Sequence, residues 1–196
     1  MTWCGTTELL ALGLHSIGKN VLISTRAQFY RPERIDVGSN SRIDDFVTLT
    51  AGPNGNIEIG EYVHIAAYCM IEAPDSVTFS DFSGLAARVT LYGGTDNYSG
   101  ESLTNPCVPI KYRQIHQAAI FLGKHAVVGT NSVILPGAYL AEGCAVGAMS
   151  LVRGRMEPFT VYAGVPAKRL IVRSHKLLEL EAALRESTRV VTHNDK

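Results

Sequence analysis

Residues 122–151 read LGKHAV VGTNSV ILPGAY LAEGCA VGAMSL. Each of these consecutive six-residue phrases begins with Leu, Val or Ile and carries Ala, Ser or Cys at its fifth place. A period of six fits neither the 3.6-residue turn of an α-helix nor the simple alternation of a half-buried strand. It is the signature of a parallel β-helix. If three phrases make one triangular turn, the first residue of each points to the axis, and the fifth sits near a corner with room only for a small side chain. Burying one Val, Leu or Ile per phrase contributes about 1.5–3 kcal/mol before chain entropy is subtracted. Gly123, Gly129 and Gly147 stand second in their phrases, a place we read as a tight bend where a Cβ would crowd the backbone.

The same ruler extends the repeat toward the N-terminus. Val37 and Ile43 take first places with Ser41 and Val47 in fifth; Ile59, Ile65 and Ile71 follow with Val63 and Cys69, then Phe79 and Leu85 with Ser83 and Val89. Short interruptions at 51–56 and 74–77 read as turns that shift the register, and an irregular first coil is expected over 20–35. Two segments leave the period. Residues 93–119 are polar and rich in Gly, Pro, Asn and Ser, and a long excursion from a compact repeat usually carries function. From Ser174, a plausible N-cap, Leu177, Leu178, Glu181 and Leu184 follow helical spacing. The expected organisation is all-β: a coil over 1–173 with its excursion at 93–119, a C-terminal helix over 174–188 that caps the open end of the coil, and a tail over 189–196.

Composition excludes several classes. The 196 residues carry 18 basic and 18 acidic side chains, so no electrostatic case exists for nucleic acid or an acidic membrane surface. Cys69 and Cys144 occupy fifth places, where a small apolar residue belongs, and no CxxC spacing joins Cys4 or Cys107 to suggest zinc or a redox pair. The N-terminal stretch lacks a basic region and holds Glu8, unlike a signal peptide. With no run of about 18 apolar residues, the expectation is a soluble cytoplasmic protein without membrane insertion.

The phrases, the single long excursion, AGVPAKRL at 163–170 and the final helix together resemble the hexapeptide-repeat acyltransferases. The chain is similar to the galactoside and maltose O-acetyltransferases and, more so, to bacterial acetyltransferases of surface-polysaccharide sugars. That resemblance implies a left-handed coil, a homotrimer with one site in each cleft between neighbouring subunits, and acetyl-CoA as co-substrate along the C-terminal coils. Motif by motif, it implies that Thr130, Ala148 and Arg153 line the coenzyme channel, and that Lys168, assisted by Arg169, meets the nucleotide phosphates. Those residue types suit phosphate oxygens. The implied acceptor is a sugar or nucleotide-linked sugar of O-antigen or capsule biosynthesis, with no metal.

The chain departs from the galactoside group at the base. There a histidine stands at the mouth of the long loop, a few residues after a phrase resembling LAARVTL; here that slot holds Asp96. A sugar hydroxyl needs proton removal as it attacks a thioester, worth about 10²–10⁴ in rate. An amine with a pKa near ~8 is already partly neutral, and a positioned carboxylate suffices to orient it. Asp96, with Glu101, fits that role, although GGTDNY equally reads as a turn. His116, which closes the excursion, and His64, which precedes the inward Ile65 and so points outward, are the candidate histidine bases. The stretch HIAAYC resembles the HIAHDC of lipid A acyltransferases, but Ala67 stands at that motif's catalytic histidine. His125 reads as a corner residue. Three other readings stay open: a zinc enzyme of the γ-carbonic-anhydrase kind, for which three converging imidazoles are required; a non-catalytic scaffold subunit; and an antibiotic acetyltransferase. Whether oxygen or nitrogen accepts the acetyl group is also left open.

Overall fold

The computed structural model describes residues 1–194, with side chains as far as residue 188. The chain winds as a left-handed parallel β-helix of triangular section whose three faces are sheets of seven, eight and six strands. The first face holds strands such as Ile57–Ile59, Val77–Phe79 and Ile120–Leu122, the second Arg42–Ile43, His64–Ile65 and Gly84–Leu85, and the third Thr48–Ala51, Met70–Ala73 and Thr90–Tyr92. Pairing is in register from coil to coil. On the second face one outward row runs Leu22, Arg42, His64, Gly84, Val127, Ala145, Val161.

The interior is the stack of first-place residues. Ile43, Ile65, Leu85, Val128 and Val146 on the second face are all buried, as are Ile71, Leu91, Ile134 and Val152 on the third. The fifth places are equally buried: Ala126, Ser132, Ala138, Cys144 and Ser150. The serines there are tolerated because their hydroxyls are paired. Ser132 Oγ donates to Gly147 O at 3.1 Å and accepts the Ser150 N–H at 3.1 Å, which removes the penalty of a buried unpaired hydroxyl. Burial pushes the Cys69 thiol up to about 11 and the Cys144 thiol to about 12, so both behave as small apolar packing groups.

The bend lies elsewhere than the second-place glycines suggest. The left-handed backbone falls at the fourth place: His125 (φ 59), Asn131 (φ 59), Gly137 (φ 77), Gly143 (φ 68) and Met149 (φ 56). Second-place glycines answer a different constraint, the approach of the next coil. A Cβ on Gly129 would lie 2.5 Å from Ala148 N, and one on Gly123 2.7 Å from Glu142 N.

The three corners carry different things. Between the first and second faces, Tyr62, Phe82 and His125 stack with ring centroids 4.7 and 5.0 Å apart. Helix α2 (Lys176–Asn194) lies along this corner. Glu181 accepts from Lys124 Nζ at 2.7 Å and His125 Nε2 at 2.8 Å, while Arg185 reaches Asp81 at 3.0 Å and Glu61 at 3.5 Å on successively earlier coils. The helix therefore flanks the coil instead of capping its open end, because its charged face finds partners on the stacked corners. It begins two residues after Ser174, whose Oγ accepts the Lys176 N–H at 3.2 Å, and its helical turns include most of the expected tail; 195 and 196 lie outside the described residues. The N-terminal end of the coil is closed by helix α1 (Thr6–Ala11) and its surroundings, with Leu9, Leu12 and Leu14 packed on the core. The excursion leaves from the corner between the third and first faces. The remaining corner, between the second and third faces, carries Phe46 stacked on Tyr68 at 4.9 Å with Arg26 and Arg88 over their rings, and among the described residues nothing else covers it.

Candidate active site

The excursion is anchored by a short antiparallel ribbon, Gly94–Asp96 against Ile115–Gln117, which pairs Asp96 with Ile115 and Thr95 with His116. The coil resumes at Ile120. Gly93 and Gly94 let this ribbon pass close to the preceding coil, since a Cβ on Gly93 would meet Glu72 O at 2.8 Å. Between the ribbon and the third face lies a cleft of about 800 Å³. Its walls include Tyr98, Asp96 and Arg113 from the excursion and Glu72, Tyr92 and Leu135 from the coil.

Asp96 is a fixed charge of that cleft, paired with Arg113. Its Oδ2 accepts the Asn105 N–H at 3.1 Å and its Oδ1 accepts from Arg113 Nη2 at 3.1 Å. The Asn105 hydrogen bond, followed by that of Arg113, holds the carboxyl below the usual aspartate range, so it is an anion at neutral pH. The loop conformation thus presents a carboxylate with its orientation set and part of its acceptor capacity free. Such a group can hold an amine in place, whereas a carboxylate held so acidic is a poor proton acceptor.

The three candidate acid–base residues occupy three places. His116 alternates with Ile115 and Gln117, which line the cleft, and is not itself part of the wall. His64 lies on the second face, in a separate recess of about 470 Å³ with Tyr62, Phe82, Ser83 and Gly84. Its Nε2 is 3.0 Å from Asp44 Oδ2. Glu101 lines a hollow at the tip of the excursion beside Lys111 and Tyr112. Within one chain, therefore, Asp96 is not brought together with either histidine or with Glu101.

The residues matched to the coenzyme channel are spread along the C-terminal coils. Thr130 and Ala148 hold equivalent places one coil apart, beside the uncovered corner; Thr130 Oγ donates to Ala87 O at 2.6 Å and its carbonyl accepts the Met149 N–H. Arg153 is exposed and follows Val152, one coil beyond the cleft residue Leu135. Lys168 and Arg169 are exposed on the antiparallel strand Lys168–Val172, opposite Ala163 and Tyr162. Between His64 and Lys168 the second-place residues of the second face are all small: Ala66, Ala86, Gly129, Gly147 and Ala163, linked coil to coil by backbone bonds. They form a low, half-buried row on that face. At ~4.8 Å per coil, it is ~19 Å long.

Asp44 and Arg113 were not singled out in the sequence. The signal for Asp44 was present, since pairing Ile43 with Ile65 puts Asp44 beside His64. Arg113 had no such signal, because its partner is chosen by the fold of an aperiodic loop. Among the described residues no group of three or more His, Cys, Asp or Glu is placed to hold a metal ion, and no helix is long and apolar enough to cross a membrane.

No family model matches the chain. The dTDP-4-amino-4,6-dideoxy-D-glucose acyltransferase of Escherichia coli is 43% identical over 187 residues, which make up 95% of this chain and 97% of that protein. A single-residue variant of AntD, an N-acyltransferase from Bacillus cereus, in complex with dTDP-4-amino-4,6-dideoxyglucose and coenzyme A, has a TM-score of 0.91 at 37% identity, over 95% of this chain and 98% of that one. A maltose O-acetyltransferase from Clostridium difficile 630 shares the fold with a TM-score of 0.58 at 17% identity, over 86% of this chain and 75% of that one. Identity of this extent across nearly the whole of two chains, carried on the same coil and excursion, makes the protein a member of the hexapeptide-repeat sugar acyltransferases and an acyl-transferring enzyme.

Proposed function

We propose that the protein transfers an acetyl group from acetyl-CoA to the amino group of a nucleotide-linked deoxyamino sugar, a precursor of O-antigen or capsule polysaccharide, in the cytoplasm. The observation that carries this reading is Asp96. A carboxylate fixed as an anion stands at the slot where the O-acetyltransferases it resembles place a histidine. An amine needs orientation more than deprotonation before it attacks. Its lone pair forms the C–N bond to the thioester carbonyl, the C–S bond breaks, and the sulfur leaves as the thiol once it has gained the proton given up by nitrogen. The acyltransferases similar to this chain, one named for a dTDP-amino sugar and one bound to such a sugar with coenzyme A, support the same acceptor class.

The donor fits the row of small residues on the second face. Its nucleotide phosphates meet Lys168 and Arg169 at one end, the extended arm passes Thr130 and Ala148, and the thioester arrives near His64. Arg153 borders the third-face side of the same coils.

The enzyme acts as a homotrimer built around the corner between the second and third faces. Phe46 and Tyr68 there are 44% and 53% exposed, the other two corners being taken by helix α2 and by the excursion. Threefold packing about this corner turns the second face of one copy toward the third face of the next.

The test is thiol release from acetyl-CoA with dTDP-4-amino-4,6-dideoxyglucose, its 4-hydroxy counterpart and an amino antibiotic as acceptors. The amino sugar should exceed the hydroxy sugar in kcat/KM by ~100-fold or more, the scale of the missing base, and Asp96→Asn should abolish most of that advantage. Equal turnover of the hydroxy sugar, or preference for the antibiotic, overturns the reading.

A further inference from the structure

Helix α2 is fastened to its own coil by its polar side. Glu181 meets Lys124 and His125, and Arg185, one turn further on, meets Asp81 and Glu61. The leucines beside them are left open: Leu180 is 62% and Leu184 40% exposed. One turn apart, these two share a face of the helix and form an apolar ridge. A helix that sinks its charges into the coil and shows its leucines has an apolar side without a partner in the single chain.

The excursion has a matching surface. Leu103 is 58% and Ile110 69% exposed, and Tyr112 is exposed with them. They form one patch, because the Leu103 N–H donates to Tyr112 O at 2.9 Å and Ile110 opens the short helical turn that ends at Tyr112. The same two segments carry the groups that fix Asp96. Asn105 follows Leu103 by two residues and Arg113 follows Tyr112.

Ridge and patch also lie at one height on the coil. The excursion leaves after Thr90–Tyr92 and returns at Ile120–Leu122, so it joins the turn that holds Asp81 to the turn that holds His125. Those are turns that Arg185 and Glu181 grip, with Leu184 and Leu180 beside them. Within one chain the two surfaces stand at different corners, the excursion forming its cleft over the third face.

We propose that the Leu180–Leu184 ridge of one copy docks on the Leu103–Tyr112 patch of the next, and so holds the neighbour's Asp96 in place. This inference rests on the trimer proposed above. Packing about the corner of Phe46 and Tyr68 sets the second face of one copy against the third face of the next. The far edge of the one carries α2, and the far edge of the other carries the excursion. Rotation about an axis parallel to the coil leaves every residue at its own height, so ridge and patch meet. Two different patches make a heterologous contact, and a threefold rotation closes it into a ring. Contact at Leu103 and Tyr112 steadies Asn105 and Arg113, which set the direction of the carboxylate that orients the amine.

Cross-linking tests the contact without any turnover. Cys107 is an exposed thiol of the excursion. Leu184→Cys treated with a short bismaleimide should give covalent dimers and trimers on a denaturing gel, and Cys107→Ser in the same background should abolish them. Leu180→Glu combined with Leu184→Glu should keep the circular dichroism of the wild type, because both side chains are exposed in one chain. Its kcat/KM for the amino sugar should fall ~10-fold or more at an unchanged KM for acetyl-CoA, whereas Leu180→Met with Leu184→Met should behave as wild type. A trimer mass without cross-links overturns the inference and leaves the trimer standing. So do bands that survive Cys107→Ser, which would seat the ridge on another surface such as a second α2. Wild-type kcat/KM in the glutamate variant overturns the hold on Asp96. A monomeric wild type by analytical ultracentrifugation would instead remove the trimer, and the inference with it.

Discussion

Two corners of the coil are built alike and finished differently. Tyr62, Phe82 and His125 on one, and Phe46, Tyr68 and Arg88 on the other, all sit in the fourth place of their phrases with φ between 56 and 64. Both corners stack aromatic rings, at 4.7 Å for Tyr62 on Phe82 and 4.9 Å for Phe46 on Tyr68. On the first corner helix α2 lies across the rings, with Arg185 5.1 Å above Phe82 and Glu181 bonded to His125. On the second, among the described residues, the rings meet Arg26 and Arg88 and no helix. A repeat generates equivalent surfaces, and what covers each surface decides whether it serves stability or assembly.

The comparison breaks most visibly at the uncovered corner. Phe46→Glu combined with Tyr68→Glu should yield a folded monomer by analytical ultracentrifugation, with far-ultraviolet circular dichroism unchanged. Transfer activity should drop by ~100-fold or more, because in the proposed trimer each cleft then loses the wall that positions the two reactants. A wild-type mass for this variant would show that the ladder is not the contact.

At the covered corner the effect should be on stability. The Glu181 side chain is 7% exposed and bonded to Lys124, His125 and Arg185. Burial alone would raise its pKa, but these three donors, Lys124 foremost, bring it from 4.5 down to about 2. Glu181→Gln strands the cations, at a cost of about 2 kcal/mol once the partial exposure of Lys124 and Arg185 is allowed for. For a chain of this size that lowers Tm by about 4–8 °C, while the mass in solution and the kcat at 25 °C stay those of the wild type. A depressed carboxylate stabilises the fold above its unfolded pKa and stops doing so as pH falls through its folded one. The gap between wild type and Glu181→Gln should therefore be constant above about pH 5 and close toward about pH 2. A gap that does not depend on pH would place the helix's anchorage elsewhere.

The smallest effect sharpens the same corner. Phe82→Leu keeps the apolar volume but loses two ring stacks and the Arg185 contact, for about 1 kcal/mol in denaturant unfolding. A loss as large as that of Glu181→Gln would mean that stacking, not the ion network, holds α2.

The coil itself was legible because its period states a burial pattern directly. First-place Ile65 and Val146 and fifth-place Ala126 and Cys144 lie where six-residue counting puts them. The excursion was legible as a break in that count, and Asp96 as the residue in its opening slot. Glycine was misread: Gly129 is small for the coil below it, while the turn is made by Asn131, a distinction between two crowding atoms that composition does not carry. The course of α2 was misread too, since helical spacing shows which face is apolar but not where the charges of Glu181 and Arg185 find partners. Arg113 stayed hidden for that reason, whereas counting by coils already sets Asp44 beside His64. Each acquires its role from a residue 20 or 17 positions away.

By itself, then, the sequence determined a stacked coil, its inward and outward residues and the loop that interrupts it, because those follow from local period and side-chain size. The tertiary structure decided which charges meet, that Asp96 is a fixed anion over a cleft, and that His64 and Asp96 lie on faces that diverge within one copy. Those depend on the register between coils and on how one aperiodic loop folds back, and neither is written in any single stretch of the chain.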